Sequence, residues 1–323
     1  MPGGNSPVLV VTRLDDVTAD TVISELNRRK QPVVRLDPGN FPDSVTMTTA
    51  IDSCGLSGLL RTATRAMEIG GVRSVYWRRP GMYAAPYGIE GQDGRWCAEE
   101  ARYGLGGILG ALPGAHYVNH PWRNRDAEYK PAQLAAAARC GLSVPPTLIT
   151  NDPDRARRFA DAHGPVIYKP LRETDYLDET GHALTVWIDE VSAESIGDGV
   201  AHTAHLFQQR VNKVADIRMT VVGRRLFPVR IDGSPGVDWR RHYEALTYKL
   251  DDAPPDVAKG VRAYLDAFGL TFGAFDFGLD AEGRWWFYEC NPNGQWAWFP
   301  DSITHRITAA IADQLHNPPG AET

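Results

Sequence analysis

Apolar residues fall along this chain in short blocks that alternate with segments of helical character. Residues 7–12 (PVLVVT) contain no charged position and read as a strand buried on both faces. Asp15, Asp16 and Thr18 then offer caps for a helix over residues 18–30, and residues 33–36 form the next strand. This β-α-β opening predicts a parallel sheet covered by helices. Residues 72–77 (VRSVYW) continue the sheet, and residues 97–112 read as a helix interrupted by glycines. A second unit opens with the helix-forming run at 132–139 (AQLAAAAR), which Gly141 and Pro145-Pro146 terminate.

Beyond that helix the blocks are strand-like. Residues 166–169 (VIYK), 183–188 and 206–211 (LFQQRV) read as strands. Residues 216–222 and 226–231 flank Gly223-Arg224, a hairpin signal, and a last hairpin joins 274–279 to 285–291. The tail after Asn317 reads as frayed.

The last hairpin carries candidate chemistry. A turn near Glu282 sets Asp276 roughly opposite Glu289, and the strand period of two brings Asn291 to the face of Glu289. Two carboxylates facing each other among Phe275, Phe277 and residues 285–288 (WWFY) call for a cation between them. An oxygen-only donor set suits magnesium, and Asn293 and Gly294 add to that reading; ion pairing to nearby arginines is the alternative.

Several cations could hold phosphate. Lys169 ends an apolar strand before Pro170, and Lys130 precedes the alanine-rich helix. Alternation puts Asp216, Arg218 and Thr220 on one face, and the hairpin pattern sets Arg230 opposite Arg218 as a clamp for an anion, with Asp216 as the competing partner. Asp238, Arg240 and Arg241 either extend this basic pocket or are surface charges. No GxxxxGK[ST] or GxGxxG occurs, so neither the P-loop nor the dinucleotide mode is supported.

Composition narrows the class without changing this picture. The 323 residues suit two or three small domains, and 43% hydrophobic with 23% charged residues is globular. A net charge of -6 argues against nucleic-acid binding through a basic face. Cys54, Cys97, Cys140 and Cys290 form no CxxC pair, which disfavours a zinc site or a disulfide scaffold. With no signal pattern and no apolar run of about 18 residues, the expectation is a soluble cytoplasmic protein without a membrane partner.

In chain order the candidates are Lys130, Lys169, the strand Phe207-Gln208-Gln209-Arg210-Val211, Asp216-Ile217-Arg218, Asp276, Glu289 and Asn291. That order resembles the ATP-grasp superfamily. The wording VLVVTRLD (8–15), YWRRP (76–80), NHP (119–121), KPAQL (130–134), TLITNDP (147–153), DIRMTVVG (216–223) and ECNPNGQW (289–296) is more closely similar to the ATP-grasp maturases of ribosomal peptides, which include the microviridin and graspetide ligases.

The resemblance implies an α/β (α+β) ATP-grasp fold. A pre-ATP-grasp domain would span 1–122, a central domain 123–205 and a C-terminal domain 206–323, with ATP between the last two. It places Lys169 at the adenine and α-phosphate, Lys130 near the phosphates and Gln208, Gln209, Arg210 and Val211 as the adenine hinge. Arg218 would act on the γ-phosphate, and Asp276, Glu289 and Asn291 would bind Mg2+, so that Arg218, Lys169 and Glu289 are the catalytic candidates.

The implied activity is ADP-forming ligation. A side-chain carboxylate of a precursor peptide is phosphorylated and joined to a Thr or Ser hydroxyl or a Lys amine, closing a macrocycle. A leader and core peptide and a homodimer are the implied partners. The alternatives are an amino-acid or glutamate ligase of the same superfamily and a nucleotide sensor without turnover. Two departures stand out: relatives usually carry Gln-Glu where this chain has Gln208-Gln209, and the loop 171–180 (LRETDYLDET) lacks glycine and is a candidate for leader recognition instead.

Overall fold

The computed structural model describes residues 6–172, 176–184, 188–233, 236, 237, 239, 244 and 246–319. Its first sheet begins with β1 (Val8–Val11), from which α1 (Val17–Arg28) returns the chain to a parallel β2 (Val33–Leu36). Asp16 caps α1 by accepting the Ala19 N–H, and Val22 and Leu26 bury one helical stripe with Val8 and Val10. The following residues were not read as structure from the sequence. They form a separate antiparallel sheet of β3 (Thr46–Asp52), β4 (Gly55–Arg61) and β5 (Ala66–Glu68), whose threonines hide the apolar alternation.

Strand β6 (Ser74–Trp77) pairs with the free side of β1. Helix α2 (Gly91–Gly110) starts earlier than the expected 97–112, burying Leu105 and Leu109 with Leu9, Val11 and Val75. Strand β7 (His116–Val118) completes the parallel order β2-β1-β6-β7.

Helices α3 (Pro121–Ala127) and α4 (Lys130–Arg139) lead into β8 (Thr147–Thr150), α5 (Pro153–His163) and β9 (Val166–Lys169). The strand expected over 183–188 is divided. Strand β10 (Tyr176–Leu177) pairs with β11 (Ala183–Leu184), whereas β12 (Asp189–Val191) pairs with β9, and residues 185–187 lie outside the described ones. Strand β13 (His205–Gln209) sits between β9 and β8, ending before Arg210 and Val211.

The largest sheet runs β16-β15-β14-β17-β18. It is built from β14 (Lys213–Val222), β15 (Arg225–Asp232), β16 (Thr247–Leu250), β17 (Phe272–Asp280) and β18 (Trp285–Asn291), with α6 (Pro255–Phe268) between β16 and β17. Alternation divides its residues between two cores. Ile217, Met219, Phe275, Phe277 and Phe287 pack with residues of α4 and α6. Val222, Val229 and Ala274 pack with α7 (Asp301–His316) and with the β1 and α1 residues of the first sheet. Helix α7 was absent from the sequence reading, although Ile303, Ile307, Ile311 and Leu315 recur at a spacing of four, and it joins the first sheet to the last. Among the described residues no helix is long and apolar enough to cross a membrane.

Candidate functional site

The site is built on the β17–β18 hairpin. Its register sets Asp276 opposite Glu289 and Ala274 opposite Asn291, so the three oxygen donors share a face. Asp276 also lies opposite Arg218 on β14, whose Nη1 donates to Asp276 Oδ2 at 2.6 Å. Lys130, in the first turn of α4, stands 3.2 Å from Glu289 and donates to the Pro170 carbonyl at 2.9 Å. Each carboxylate therefore has a cationic neighbour, as the ion-pair alternative requires. Among the described residues no group of three His, Cys, Asp or Glu side chains is gathered. A hard cation at this face fits the oxygen donors Asp276, Glu289 and Asn291, and would fill its shell with water or phosphate oxygens. Asn291 is exposed, and its Oδ1 already accepts the Asn293 N–H at 3.0 Å, leaving a second lone pair.

Lys169 closes the site from β9. It is 9% exposed, and its Nζ donates to Gln208 Oε1 at 2.7 Å while lying 4.3 Å from the ring centroid of Tyr288. Burial pulls the ammonium down to about 8, Lys130 and Lys213 push the same way, and Glu289 opposes them. Gln208 is itself tied through Nε2 to Thr147 Oγ1 at 2.9 Å. Its side chain therefore stands behind Lys169 and supports it.

Tyr288 reaches this face for two reasons. The β17–β18 register shifts between Asp276 and Phe277, so Tyr288 and Glu289 both line the site instead of alternating. Gly278 leaves the room, since a Cβ there would stand 2.8 Å from Tyr288 Cζ. Neither cause is visible in the alternation of the sequence.

Of these groups Lys169, Asp276, Tyr288 and Glu289 line a cavity of about 760 Å³, whereas Lys130, Gln208, Arg218 and Asn291 stand beside them outside its lining. Lys169, Arg210, Val211, Asp216, Asp276 and Glu289 are sequence candidates that line it, and Lys213, Trp239 and Tyr288 are residues it adds. Lys213 Nζ bridges both carboxylate oxygens of Asp216 at 2.7 Å and donates to the Val237 carbonyl at 2.8 Å, so Asp216 is held by Lys213. Arg210 pairs with Glu190 at 2.7 Å at the exposed rim, and the Gln209 N–H is used by the Pro146 carbonyl at 2.8 Å.

One expectation is corrected. The hairpin register pairs Arg218 with Val229 and Ile217 with Arg230, so the two arginines point to opposite faces. The two-residue turn at Gly223-Arg224 sets this register, and a slip of one residue inverts a strand's faces. Arg230 does not line the cavity and instead bonds Asp232 at 2.9 Å. Arg240, with Asp238 and Arg241, lies outside the described residues.

The first sheet supports the hairpin from behind. Asn119, just after β7, is buried, and its amide accepts the Thr271 and Phe272 N–H groups at 2.7 and 2.8 Å while donating to the Phe272 and Pro292 carbonyls at 2.8 and 3.0 Å. All four hydrogen-bonding positions of the amide are used, which ties the NHP segment to the start of β17 and to the segment after β18.

The chain is similar to known proteins over most of its length. Residues 7–125 match the family described as the MvdD pre-ATP grasp domain. Among solved structures, a RiPP-associated ATP-grasp ligase of Chryseobacterium gregarium, in complex with ADP and a leader and core peptide, is 22% identical. It matches with a TM-score of 0.86 over 96% of each chain. The macrocyclase MdnC of Microcystis aeruginosa MRC, bound with precursor peptide MdnA, is 26% identical with a TM-score of 0.84, over 96% of this chain and 99% of that one. The ATP-grasp ligase PsnB, complexed with a phosphomimetic minimal precursor, Mg and ADP, is 20% identical with a TM-score of 0.74, over 96% of this chain and 99% of that one. Among curated proteins there is no match. The chain has the ATP-grasp fold with a pre-ATP-grasp domain at its front.

Proposed function

We propose that this chain, an ADP-forming ATP-grasp ligase similar along its length to enzymes of ribosomal peptide maturation, closes crosslinks in a ribosomally made precursor peptide. The observation that carries the reading is that Asp276, Glu289 and Asn291 share one face, that Asp276 and Glu289 line a cavity with Lys169, and that Lys130 and Arg218 contact the same two carboxylates. Oxygen donors beside convergent cations are what a nucleotide triphosphate and its divalent ion need, and the similarity to MdnC supports a peptide as the second substrate.

In this mechanism ATP lies in the cavity with its base along the strand end at Arg210 and Val211. Lys169, held by Gln208 and Tyr288, presents its ammonium to the phosphates, and Lys130 adds a second charge. Asp276, Glu289 and Asn291 would hold magnesium, which would supply neutralisation of phosphate charge. A carboxylate oxygen of a peptide Asp or Glu attacks the γ-phosphorus, the bond to the β-phosphate oxygen breaks, and ADP leaves. Arg218 stabilises the charge on the transferring group and on the acyl phosphate. A Thr or Ser hydroxyl, or a Lys amine, then attacks the acyl carbon, loses its proton and expels phosphate. Placement of the reactants does most of the work. The proposed division of labour puts the pre-ATP-grasp domain at 1–122 and the ATP site between 123–205 and 206–323.

The test is incubation of the purified protein with ATP, magnesium and the precursor peptide encoded beside it. The product should lose one water mass per crosslink as ADP accumulates. AMP formation, or a peptide of unchanged mass, refutes the reading, and an added residue would favour an amino-acid ligase.

A further inference from the structure

The YWRRP segment at 76–80 has no part in the chemistry above, yet its first arginine is almost wholly buried: Arg78, immediately after β6, is 2% exposed. A guanidinium removed from water in this way must find partners, and Arg78 finds them in two domains. Its Nε lies 3.7 Å from Asp16, which also accepts the Thr12 hydroxyl at 2.7 Å. Its Nη1 and Nη2 donate to the Asn293 carbonyl and to Gln295 Oε1, in the segment that follows the Glu289–Asn291 end of β18. Thr18 Oγ1 donates to the same Gln295 Oε1 at 2.6 Å. The polar groups of the first sheet thus converge on one glutamine of the last domain.

The backbone of that glutamine faces the site. The Gln295 carbonyl accepts from Arg218 Nη2 at 3.2 Å, while Arg218 Nη1 holds Asp276 at 2.6 Å. The approach is close enough that Gly294 has no room for a side chain: a Cβ there would stand 2.7 Å from Arg218 Nη2. Arg218 is therefore fixed at two points, by Asp276 within the sheet and by the Gln295 carbonyl within a segment that Arg78 clamps from the other side.

We infer that Arg78 is a positioning residue for Arg218: the N-terminal domain, through the Arg78 contacts to Asn293 and Gln295, sets where the phosphate-stabilising guanidinium points. The inference rests on the phosphoryl-transfer role proposed for Arg218. Arg78 does not line the cavity, and its proposed action runs through the 293–295 segment.

A double-mutant cycle on ADP formation tests it, with Arg78→Met, Arg218→Met and both together, and with Gln295→Met as a milder break of the same link that leaves the Asp16–Arg78 pair in place. Arg218→Met should lower kcat by about 100- to 1,000-fold, as for loss of one preorganised donor. Arg78→Met should lower it by about 10- to 100-fold through misplacement, and Gln295→Met by roughly tenfold, each with KM for ATP within about twofold of wild type. Because Arg78 acts through Arg218, the double variant should fall within about threefold of Arg218→Met alone. A double variant whose loss equals the product of the single losses overturns the inference, as does a Gln295→Met enzyme with unchanged kcat. If Arg78→Met does not fold, as judged by thermal melting, the Gln295→Met and Arg218→Met cycle decides by the same criterion. A wild-type protein that forms no ADP refutes the underlying function, an outcome separate from additivity in the cycle.

Discussion

Raising the pH should weaken ATP binding through one group, Lys169. The ammonium is buried at the end of β9, and burial brings its pKa to about 8 from an ordinary 10.5. Only the charged form attracts phosphate, so the apparent dissociation constant scales as the inverse of the charged fraction, provided phosphate holds the proton on in the complex. With a pKa of about 8 that fraction is roughly 10/11 at pH 7 and roughly 1/11 at pH 9, a loss of about tenfold in affinity. A lysine titrating at 10.5 would lose only a few per cent over the same range, so the effect measures the burial of this group. Isothermal titration calorimetry with a non-hydrolysable ATP analogue between pH 7 and 9 provides the assay, and Lys169→Arg, which stays charged throughout, should flatten the profile. Folding stability moves oppositely. The unfolded chain holds the proton up to 10.5 and the folded chain only to about 8, so stability without nucleotide falls as pH drops through that window and is level below it. A wild-type affinity that is flat from pH 7 to 9 refutes the reasoning.

Glu289→Gln keeps the shape but removes the charge that faces Lys130 and Asp276, so ADP formation should drop by about 100-fold or more while the thermal transition survives; retained turnover would remove Glu289 from the ion site. Gly278→Ala should cost about 1–3 kcal/mol in denaturant unfolding and weaken ATP binding, because the new methyl displaces Tyr288 from beneath Lys169; an unchanged midpoint and affinity would contradict that packing. Arg230→Ala, in contrast, should leave ATP affinity within about twofold, since its side chain turns to Asp232 and away from Arg218, and a tenfold loss in calorimetry would restore the clamp.

Much of the site was legible because it depends on local geometry. The strand period of two is enough to bring Asp276, Glu289 and Asn291 to one face once the hairpin is recognised, and a lysine that closes an apolar strand has to sit at the strand's mouth. The β-α-β opening and the alanine-rich helix could be read for the same reason, since periodicity, caps and breakers act within a few residues.

The remaining features depend on contacts between residues far apart in the chain. Whether Arg230 faces Arg218 depends on a register set by the Gly223-Arg224 turn, and one residue of slip reverses the answer. Tyr288 joins the site only because β17 and β18 shift register beside Gly278. The Gln208 side chain meets Thr147 and Lys169 only because β8 and β9 flank its strand. The link from Arg78 to Gln295 spans 217 positions of chain and joins regions that α7 and Asn119 also bring together. The sequence alone determined which oxygen and cationic groups the chain could offer and which of them alternate together within one strand. Tertiary packing decided which of them meet, because register, bulges and interdomain contacts are set by the balance of the whole core and leave no periodic trace in the sequence.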